Sequence, residues 1–313
     1  MKKKFVLLIL IVVLFLSISA CTKKDETAVN TIKIGYLPIT HALPVFVQNE
    51  ISTSSNYDIE LVKFGSWPEL VEALNAGQID GASMLAELAM KSKEQGIGVK
   101  AVALGHRDGN IVVAANDIES ATDLKGKTVS IPSRLSSHNV LLHQLLKENN
   151  MDLSDVNVVE LPPPEMHAAL SEGRISAYVV AEPFGAVSVE SENGKVLYTS
   201  QELWPNSVCC TLVLRDEFIQ DNNAIAGEFV KEYARSAEKA ELKDEEVYEI
   251  SSKYMSVSRE VLQQSLQWIS YKDLAIKESE YATLTGYLKE MGLSENPPTF
   301  EDFVDTTLIQ QGE

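Results

Sequence analysis

Two histidines lie in turns that directly follow strand-like segments. His41 closes a turn after the segment Thr31–Tyr36, and His106 lies in the glycine-bounded turn at 105–109. Side chains at strand ends face the ligand crevice in doubly wound lobes, although histidines in loops without any ligand are about as common. We predict that both histidines, together with the neighbouring Thr40, contact a small ligand.

A third histidine marks the start of a helix. Ser136, Ser137 and His138 come directly before the apolar run Val140–Leu142. Free backbone N–H groups and the positive end of the helix dipole suit a small anion at this position, and Arg134 would add charge-assisted hydrogen bonds. Ser137 and His138 are therefore predicted ligand contacts, and a helix cap without a ligand is the alternative.

Trp67 lies in the first turn of another predicted helix. Ser66 and Glu69 have the spacing of a capping box, and Pro68 suits the first helical turn. In a ligand cleft Trp67 would stack on a planar ligand, and a cation over its face would contribute about 0.5–2 kcal/mol. The alternative is a side chain that only packs the helix against the core.

Glu182 precedes Pro183 at the end of a strand-like segment. A carboxylate at a strand end is placed to bind a ligand in the cleft or to bind the backbone of a hinge. The sequence leaves these two interpretations open, and we include Glu182 among the predicted ligand contacts.

The cysteines give no clear chemical signature. Cys209 and Cys210 are adjacent, so a disulfide between them would close a strained ring, and we interpret them as small residues of a buried strand. The spacing of His41, His106 and His138 does not define tetrahedral metal ligation, so no metal and no cofactor is predicted. No nucleophile elbow, phosphate loop or paired-carboxylate motif is evident, which favours binding over catalysis.

The first twenty residues have the layout of a secretory signal. Three lysines precede the apolar run Phe5–Leu16, and small residues follow it up to Ala20. This run is shorter than the roughly 20 apolar residues of a membrane span. The segment Ile18–Cys21 resembles a bacterial lipobox, so we expect Cys21 to carry acyl chains such as palmitate, which anchor stably when two or more are attached. Residues 21–31 would form a tether.

The chain is strongly acidic. Its formal net charge is −18, and removal of residues 1–20, which contain three lysines and no acid, changes it to −21. Nucleic-acid binding needs a basic patch, so this class of partner is excluded. The expected location is the extracytoplasmic face of the cell membrane, through the lipid anchor.

The remaining chain alternates strand-like and helix-like segments, which predicts an α/β architecture with two lobes. A proline-started helix, a glycine stop and a strand occur at 68–81 and again, 96 residues later, at 164–177. We expect residues 32–116 plus 208–313 to form a discontinuous first lobe and residues 117–207 to form the second lobe. A cleft between two such lobes is where ligands usually bind.

Three groups of motifs resemble one known family. They are Gly35–Thr40 with Phe64–Trp67, Asp123–Lys127 with Ser137–Asn139, and Leu161–Met166 with Ala181–Phe184. Their order and approximate spacing are similar to those of the nitrate/bicarbonate/sulfonate/taurine solute-binding proteins. The resemblance implies a periplasmic-binding-protein type II fold, and ligand contacts at Trp67, His138 and Pro164. It also implies a monomeric receptor that delivers a small molecule to an ABC permease.

The resemblance leaves the ligand open. Relatives that bind nitrate carry a lysine after a segment that corresponds to Glu202–Trp204, whereas this chain continues with Pro205–Cys210. The expected ligand is a small oxyanion such as nitrate, bicarbonate, a sulfonate or taurine, and a planar nitrogen compound (a thiamine-type pyrimidine or a guanidinium) is the alternative. Less favoured alternatives are a metal receptor and an enzyme similar to a pyrimidine-forming synthase of the same fold.

Overall fold

The computed structural model describes residues 30–310. The predicted signal segment at 1–20 and the lipid-anchor residue Cys21 lie outside the described residues, as does most of the predicted tether. Within the described part of the chain, no helix combines the length and the apolar character that a membrane span requires.

Twelve strands are described in residues 30–310. They are β1 Asn30–Tyr36, β2 Tyr57–Lys63, β3 Gly81–Leu85, β4 Val99–Leu104, β5 Arg107–Asp108, β6 Asn110–Ala114, β7 Thr128–Ile131, β8 Asn157–Glu160, β9 Ala177–Ala181, β10 Lys195–Thr199, β11 Cys210–Arg215 and β12 Ile269–Ser270.

Short 3₁₀ helices at Thr40–Ala42, Ala121–Leu124 and Leu153–Asp155 accompany the α-helices. The α-helices are α1 Leu43–Ile51, α2 Trp67–Asn75, α3 Ala86–Glu94, α4 Ser137–Glu148, α5 Pro163–Ser171, α6 Phe184–Glu190, α7 Ser200–Leu203, α8 Asp216–Asp221, α9 Asn223–Glu241, α10 Glu245–Tyr254, α11 Arg259–Gln267, α12 Glu278–Glu290, α13 Phe300–Phe303 and α14 Thr307–Gln310.

Ten of the described strands form two five-stranded mixed sheets, and β5 and β12 pair as a separate two-stranded antiparallel sheet. The first has the order β2-β1-β3-β11-β4, with β1 parallel to β3 and β11 antiparallel to both of its neighbours. The second has the order β10-β6-β9-β7-β8, with β7 parallel to β8 and β9 and with β6 antiparallel to β9 and β10. Strands β3, β6 and β9 are buried along their whole length, as expected for sheets covered on both faces. The predicted α/β class is confirmed.

The two repeated units have the same structure. Helices α2 and α5 each end at a left-handed glycine, Gly77 (φ 70°) and Gly173 (φ 67°), which glycine adopts without steric cost. The strands that follow, β3 and β9, lie parallel to β1 and β7 respectively. One detail of the sequence prediction is wrong: Ser66 makes no side-chain cap hydrogen bond, and the Glu69 carboxylate accepts from the Gly65 N–H instead.

Strand β6 belongs to the second sheet, whereas the sequence placed residues up to 116 in the first lobe. That part of the predicted boundary is wrong, because an apolar strand has the same sequence pattern in either sheet. Only the pairing of β6 with β9 and β10 shows which sheet it belongs to. The first crossover between the sheets is therefore the short segment 105–109, and the second leads through 204–209 into β11. The remaining lobe limits stay a prediction.

Two glycines provide a test of the packing between strands. A Cβ atom at Gly81 would lie 2.4 Å from the carbonyl oxygen of Val213 and 2.7 Å from a side-chain carbon of Leu214, whereas Gly286 on α12 has open space around it. Gly81→Ala should lower the free energy of unfolding by about 1–3 kcal/mol, because the β3–β11 pairing must shift. Gly286→Ala, the control, should raise it by about 0.5–1 kcal/mol through helix propensity. Urea denaturation measures both, and equal effects would contradict this packing.

Candidate functional site

Two histidines and two cysteines lie together at one edge of the first sheet. Strands β1 and β4 end at this edge, and β11 begins there because it runs antiparallel to β3 and β4. His41 lies in the 3₁₀ turn after β1, His106 follows β4, Cys209 directly precedes β11 and Cys210 is its first residue. These four residues, which we call the tetrad, are at most 1% exposed.

The potential ligand atoms of the tetrad all lie within 4.8 Å of one another. His41 Nδ1 is 3.4 Å from Cys210 Sγ and 3.8 Å from Cys209 Sγ, and the two sulfur atoms are 3.9 Å apart. The imidazole rings of His41 and His106 stack with centroids 3.4 Å apart. Both cysteines are free thiols. Successive side chains of a strand point to opposite faces of the sheet. Cys209 lies before the strand, so its side chain can approach the same imidazole as that of Cys210.

Backbone carbonyls of the first crossover orient both imidazoles. His41 Nε2–H donates to the Gly109 carbonyl at 3.0 Å, and His106 Nδ1–H donates to the Asp108 carbonyl at 2.6 Å. His41 therefore presents the lone pair of Nδ1 to the two sulfur atoms. His106 presents that of Nε2, which accepts only a long hydrogen bond, 3.4 Å, from the Cys210 N–H.

Electrostatic effects shift the pKa values of the two thiols in opposite directions. Burial opposes the charge of Cys209, but the proximity of Cys210, His106 and His41 outweighs it and holds the pKa of Cys209 well below its usual value. Burial and the neighbouring Cys209 raise the pKa of Cys210 well above its usual value. Burial lowers the pKa of His106 to about 4, so its imidazole is neutral at pH 7. The tetrad is thus a buried set of two sulfur atoms and two imidazole rings, and backbone carbonyls fix the orientation of both rings.

Three further buried residues adjoin the tetrad, and with it they form what we call the polar chamber. Glu87 lies in the first turn of α3, and Ser137 and His138 lie in the first turn of α4. Several of their polar atoms lack a hydrogen-bond partner within the described chain. These atoms are both carboxylate oxygens of Glu87, both ring nitrogens of His138 and the hydroxyl oxygen of Ser137. Buried polar groups are normally satisfied, so this concentration of unpartnered atoms indicates a ligand site.

The polar chamber has no fixed positive charge. Burial and the charge of Cys209 raise the pKa of Glu87 well above its usual value, although the backbone N–H groups of Glu87 and Ser137, which are nearby but outside hydrogen-bond geometry, act in the opposite direction. Burial lowers the pKa of His138 to about 4. Among residues 30–309 no lysine or arginine is buried. Arg134 is exposed, and its guanidinium donates to the Val158 carbonyl, so its role at the start of α4 stays a prediction.

Thr40 and Glu182 join the two sheets. The backbone N–H and the hydroxyl of Thr40 both donate to the Glu182 carbonyl, at 2.8 and 3.0 Å, and the Tyr271 hydroxyl donates to the Thr40 carbonyl. The Glu182 carboxylate accepts from the Ser265 hydroxyl at 2.7 Å and from the Ala186 N–H at 3.2 Å. Of the two interpretations of Glu182, these bonds favour the hinge, although its second carboxylate oxygen has no partner among the described residues.

Trp67 and Pro164 line two separate cavities between the lobes, and neither cavity is lined by a tetrad residue. Trp67 is 3% exposed and borders a cavity of about 450 Å³ with Pro132 and Pro162 across from it. Pro164 is exposed and borders a cavity of about 490 Å³ with Pro38 and Phe184. The structure therefore brings together His41, His106 and His138, but not Trp67 and Pro164. Their ligand roles remain predictions.

A sequence profile described as the NMT1-like family matches residues 25–253, which is most of the chain. The chain belongs to the NMT1-like family. The resemblance to solute-binding proteins is thereby confirmed at the level of the family.

Solved structures support the assignment of the NMT1-like chain. It is 40% identical to the ligand-binding component of an ABC-type import system from Staphylococcus aureus, solved with zinc bound, with a TM-score of 0.87 over 91% of this chain and 99% of the other. The nitrate-binding protein NrtA from Synechocystis is 17% identical, with a TM-score of 0.82 over 91% of this chain and 88% of the other. That second likeness shows the fold alone, which is the periplasmic-binding-protein fold.

Curated relatives of the NMT1-like chain are matched over part of their length. The nitrate import ATP-binding protein NrtC from Synechocystis is 27% identical over 59% of this chain, and the match covers 31% of that protein. A periplasmic binding protein from Brachyspira hyodysenteriae is 28% identical over 61% of this chain and 60% of that protein. The chain thus spans 31% of the length of the first of these relatives and 60% of the length of the second.

Sequence reasoning missed two features of the site in this NMT1-like chain. Glu87 was not singled out, although it follows strand β3 at the start of a helix, and that position signals a site residue at a strand end. Cys209 and Cys210 were interpreted as buried strand residues. Both thiols are indeed buried, but the interpretation omitted their contact with His41, which is separated from them by more than 160 residues.

Glu182 gives the hinge a pH dependence. Burial raises the pKa of Glu182 to about 7 from its ordinary 4.5, while the bonds from Ser265 and Ala186 act against this shift. Between these two pH values the folded protein holds a proton that the unfolded chain has lost, so stability falls as pH rises. Relative to Glu182→Gln, the unaltered protein should lose about 3 kcal/mol of unfolding free energy between pH 4 and pH 8.

Urea denaturation at a series of pH values measures this difference. Glu172→Gln is the matched control, because Glu172 is an exposed glutamate paired with Arg174 on the surface, and its profile should run parallel to that of the unaltered protein. Parallel profiles for Glu182→Gln as well would contradict the assigned role of the Glu182 carboxyl.

Proposed function

We propose that this protein is the solute-binding component of an ABC importer, held by lipids on Cys21 at the extracytoplasmic face of the cell membrane. Membership of the NMT1-like family and the similarity to an import component from Staphylococcus aureus support this function. Two lobes joined by two short crossovers suit capture by closure around a ligand. The partners are then a small solute and the permease of the importer, and the receptor acts as a monomer.

The solute that the polar chamber favours is a cation rather than an oxyanion. The observation that carries this proposal is the Glu87 carboxylate, which is 1% exposed and without a hydrogen-bond partner among the described residues. Burial disfavours the charged form of this carboxyl group, and a cation bound beside it would stabilise the carboxylate. The neighbouring imidazoles and thiols supply lone pairs, which a cation accepts and an anion does not.

The relatives point in two directions. Several are named as nitrate, bicarbonate or sulfonate proteins at 23–27% identity, whereas the relative at 40% identity was solved with zinc bound. An oxyanion at the start of α4 is the second candidate, because the Ser137 hydroxyl is unpartnered within residues 30–309. Glu87 beside this position and the outward Arg134 weigh against it. A metal ion or a guanidinium-type cation fits the polar chamber better.

We propose a binding role without turnover. The thiols and imidazoles of the tetrad invite comparison with a synthase of the same fold, but several similar proteins are binding proteins or parts of transporters by name. Capture and release need only the opening and closing of the lobes, and each crossover is short enough to act as a hinge.

A ligand panel tests the sign of the solute's charge. The full chain, purified in detergent with a reductant, is melted with nitrate, bicarbonate, taurine, an alkanesulfonate, an aminopyrimidine, guanidinium and Zn²⁺. A ligand present at 100 times its dissociation constant adds about 2.7 kcal/mol of stability. We expect a rise in melting temperature with a cation, and a loss of that rise in Glu87→Gln and in His138→Ala.

The control for the panel is His143→Ala, which removes a histidine of the same helix that hydrogen-bonds only to its neighbour Gln144 in the described chain. This variant should keep the full shift. A shift with an oxyanion that survives Glu87→Gln, with none for any cation, would overturn the proposed solute class.

The lipid anchor has its own test. Cys21→Ser removes the acceptor of the acyl chains, so the protein should no longer incorporate radiolabelled palmitate and should move from the detergent phase to the aqueous phase on Triton X-114 partition. Cys209→Ser, which changes a thiol inside the folded unit, is the control and should stay labelled. A Cys21→Ser protein that remains labelled and detergent-associated would contradict the anchor.

A further inference from the structure

The tetrad has the composition of a metal site. Two thiols and two imidazoles form a Cys₂His₂ donor set, which is the set that structural zinc sites use. The donors come from three segments that are remote in sequence: the turn after β1, the first crossover and the second crossover. Only the fold brings them together, and all four are at most 1% exposed.

The donor separations match four-coordinate geometry. Zinc bonds of about 2.3 Å to sulfur and about 2.0 Å to nitrogen, at tetrahedral angles, place donor atoms about 3.3–3.8 Å apart. The separations from His41 Nδ1 to the two sulfur atoms are 3.4 and 3.8 Å, and the sulfur atoms are 3.9 Å apart. A central ion would need only small shifts of the two sulfur atoms, but the stacked rings of His41 and His106, whose centroids are 3.4 Å apart, would have to diverge.

The surroundings of the tetrad match a metal site as well. Ligating histidines usually donate their second ring N–H to a carbonyl or carboxylate, which fixes the tautomer. His41 donates to Gly109 and His106 donates to Asp108, two adjacent carbonyls of the first crossover. The lone pairs that remain, on His41 Nδ1 and on His106 Nε2, belong to the donor atoms of the tetrad. The weak bond from the Cys210 N–H to His106 Nε2 is 3.4 Å long and is readily replaced.

We propose that His41, His106, Cys209 and Cys210 bind one thiophilic divalent cation of the zinc class in a four-coordinate site at the junction of the two crossovers. The inference deepens the proposed function, on which it rests for the ion's role as the transported solute. Two thiolates balance the charge of a divalent ion, and soft sulfur donors select such ions over magnesium or calcium.

The position of the tetrad explains how such an ion would be exchanged. His106 belongs to the first crossover, Cys209 ends the second, and His41 follows Thr40, which is bonded to the Glu182 carbonyl of the second sheet. An ion held by these donors ties both crossovers together. Because the tetrad is enclosed, the ion can enter and leave only when the lobes separate, as capture and release require.

Metal stoichiometry tests the site directly. The full chain in detergent is stripped with a chelator under reducing conditions, dialysed against Zn²⁺ and analysed by plasma mass spectrometry and by competition titration. We expect one zinc ion per chain, and at least a 100-fold weaker affinity in Cys209→Ser and in Cys210→Ser. Co²⁺ should give thiolate charge-transfer absorption that each substitution weakens. His143→Ala, outside the tetrad, should bind as the unaltered chain does.

A second measurement avoids substitutions that perturb folding. In the unaltered chain, Zn²⁺ should slow alkylation of Cys209 and Cys210 at least tenfold, as read by mass spectrometry, while Mg²⁺ should not. No zinc bound by the reduced chain, or zinc binding that a folded Cys209→Ser/Cys210→Ser variant retains, would overturn the site. If the tetrad binds zinc but zinc uptake by the host does not depend on this chain, the transport role fails and the metal site stands.

Discussion

The site depends on the insertion of β11 between β3 and β4. Because β11 runs antiparallel to both neighbours, its first residue must lie at the edge where those strands end. That constraint carries Cys209 and Cys210, which return from the second sheet, to the turns that hold His41 and His106. A parallel β11 would place the thiols at the opposite edge of the sheet and leave no tetrad.

The buried polar groups at this edge of the sheet lower the stability of the folded protein, and the fold alone does not explain why they are there. The Glu87 carboxylate, the His138 imidazole and the Ser137 hydroxyl lie in the interior without hydrogen-bond partners in the described part of the chain, and each such group costs about 1–3 kcal/mol or more. An apolar interior of the same size would be more stable. Groups of this kind persist where they bind something, and here Glu87 and His138 lie close enough to Cys209 to interact with it electrostatically.

Much of the architecture could be predicted from local pattern. The proline-started helices α2 and α5, their glycine stops and the strands after them follow from rules that act over a few residues, and so does the return of the chain in β11. The membership of β6 could not be predicted, because only pairing over long range decides it. The same limit applies to the site: His138 was identified from its helix start, whereas the contact of His41 with Cys209 and Cys210 depends on the order of the strands. Arg134 is an example of a residue whose type suits an anion site but whose side chain hydrogen-bonds to the Val158 carbonyl instead.

X-ray absorption at the zinc edge tests the central claim most directly, because it reports the atoms around the ion in the full chain. We predict a first shell of two sulfur atoms at about 2.3 Å and two imidazole nitrogen atoms at about 2.0 Å. A first shell made of oxygen atoms alone, or one that contains no sulfur, would contradict it.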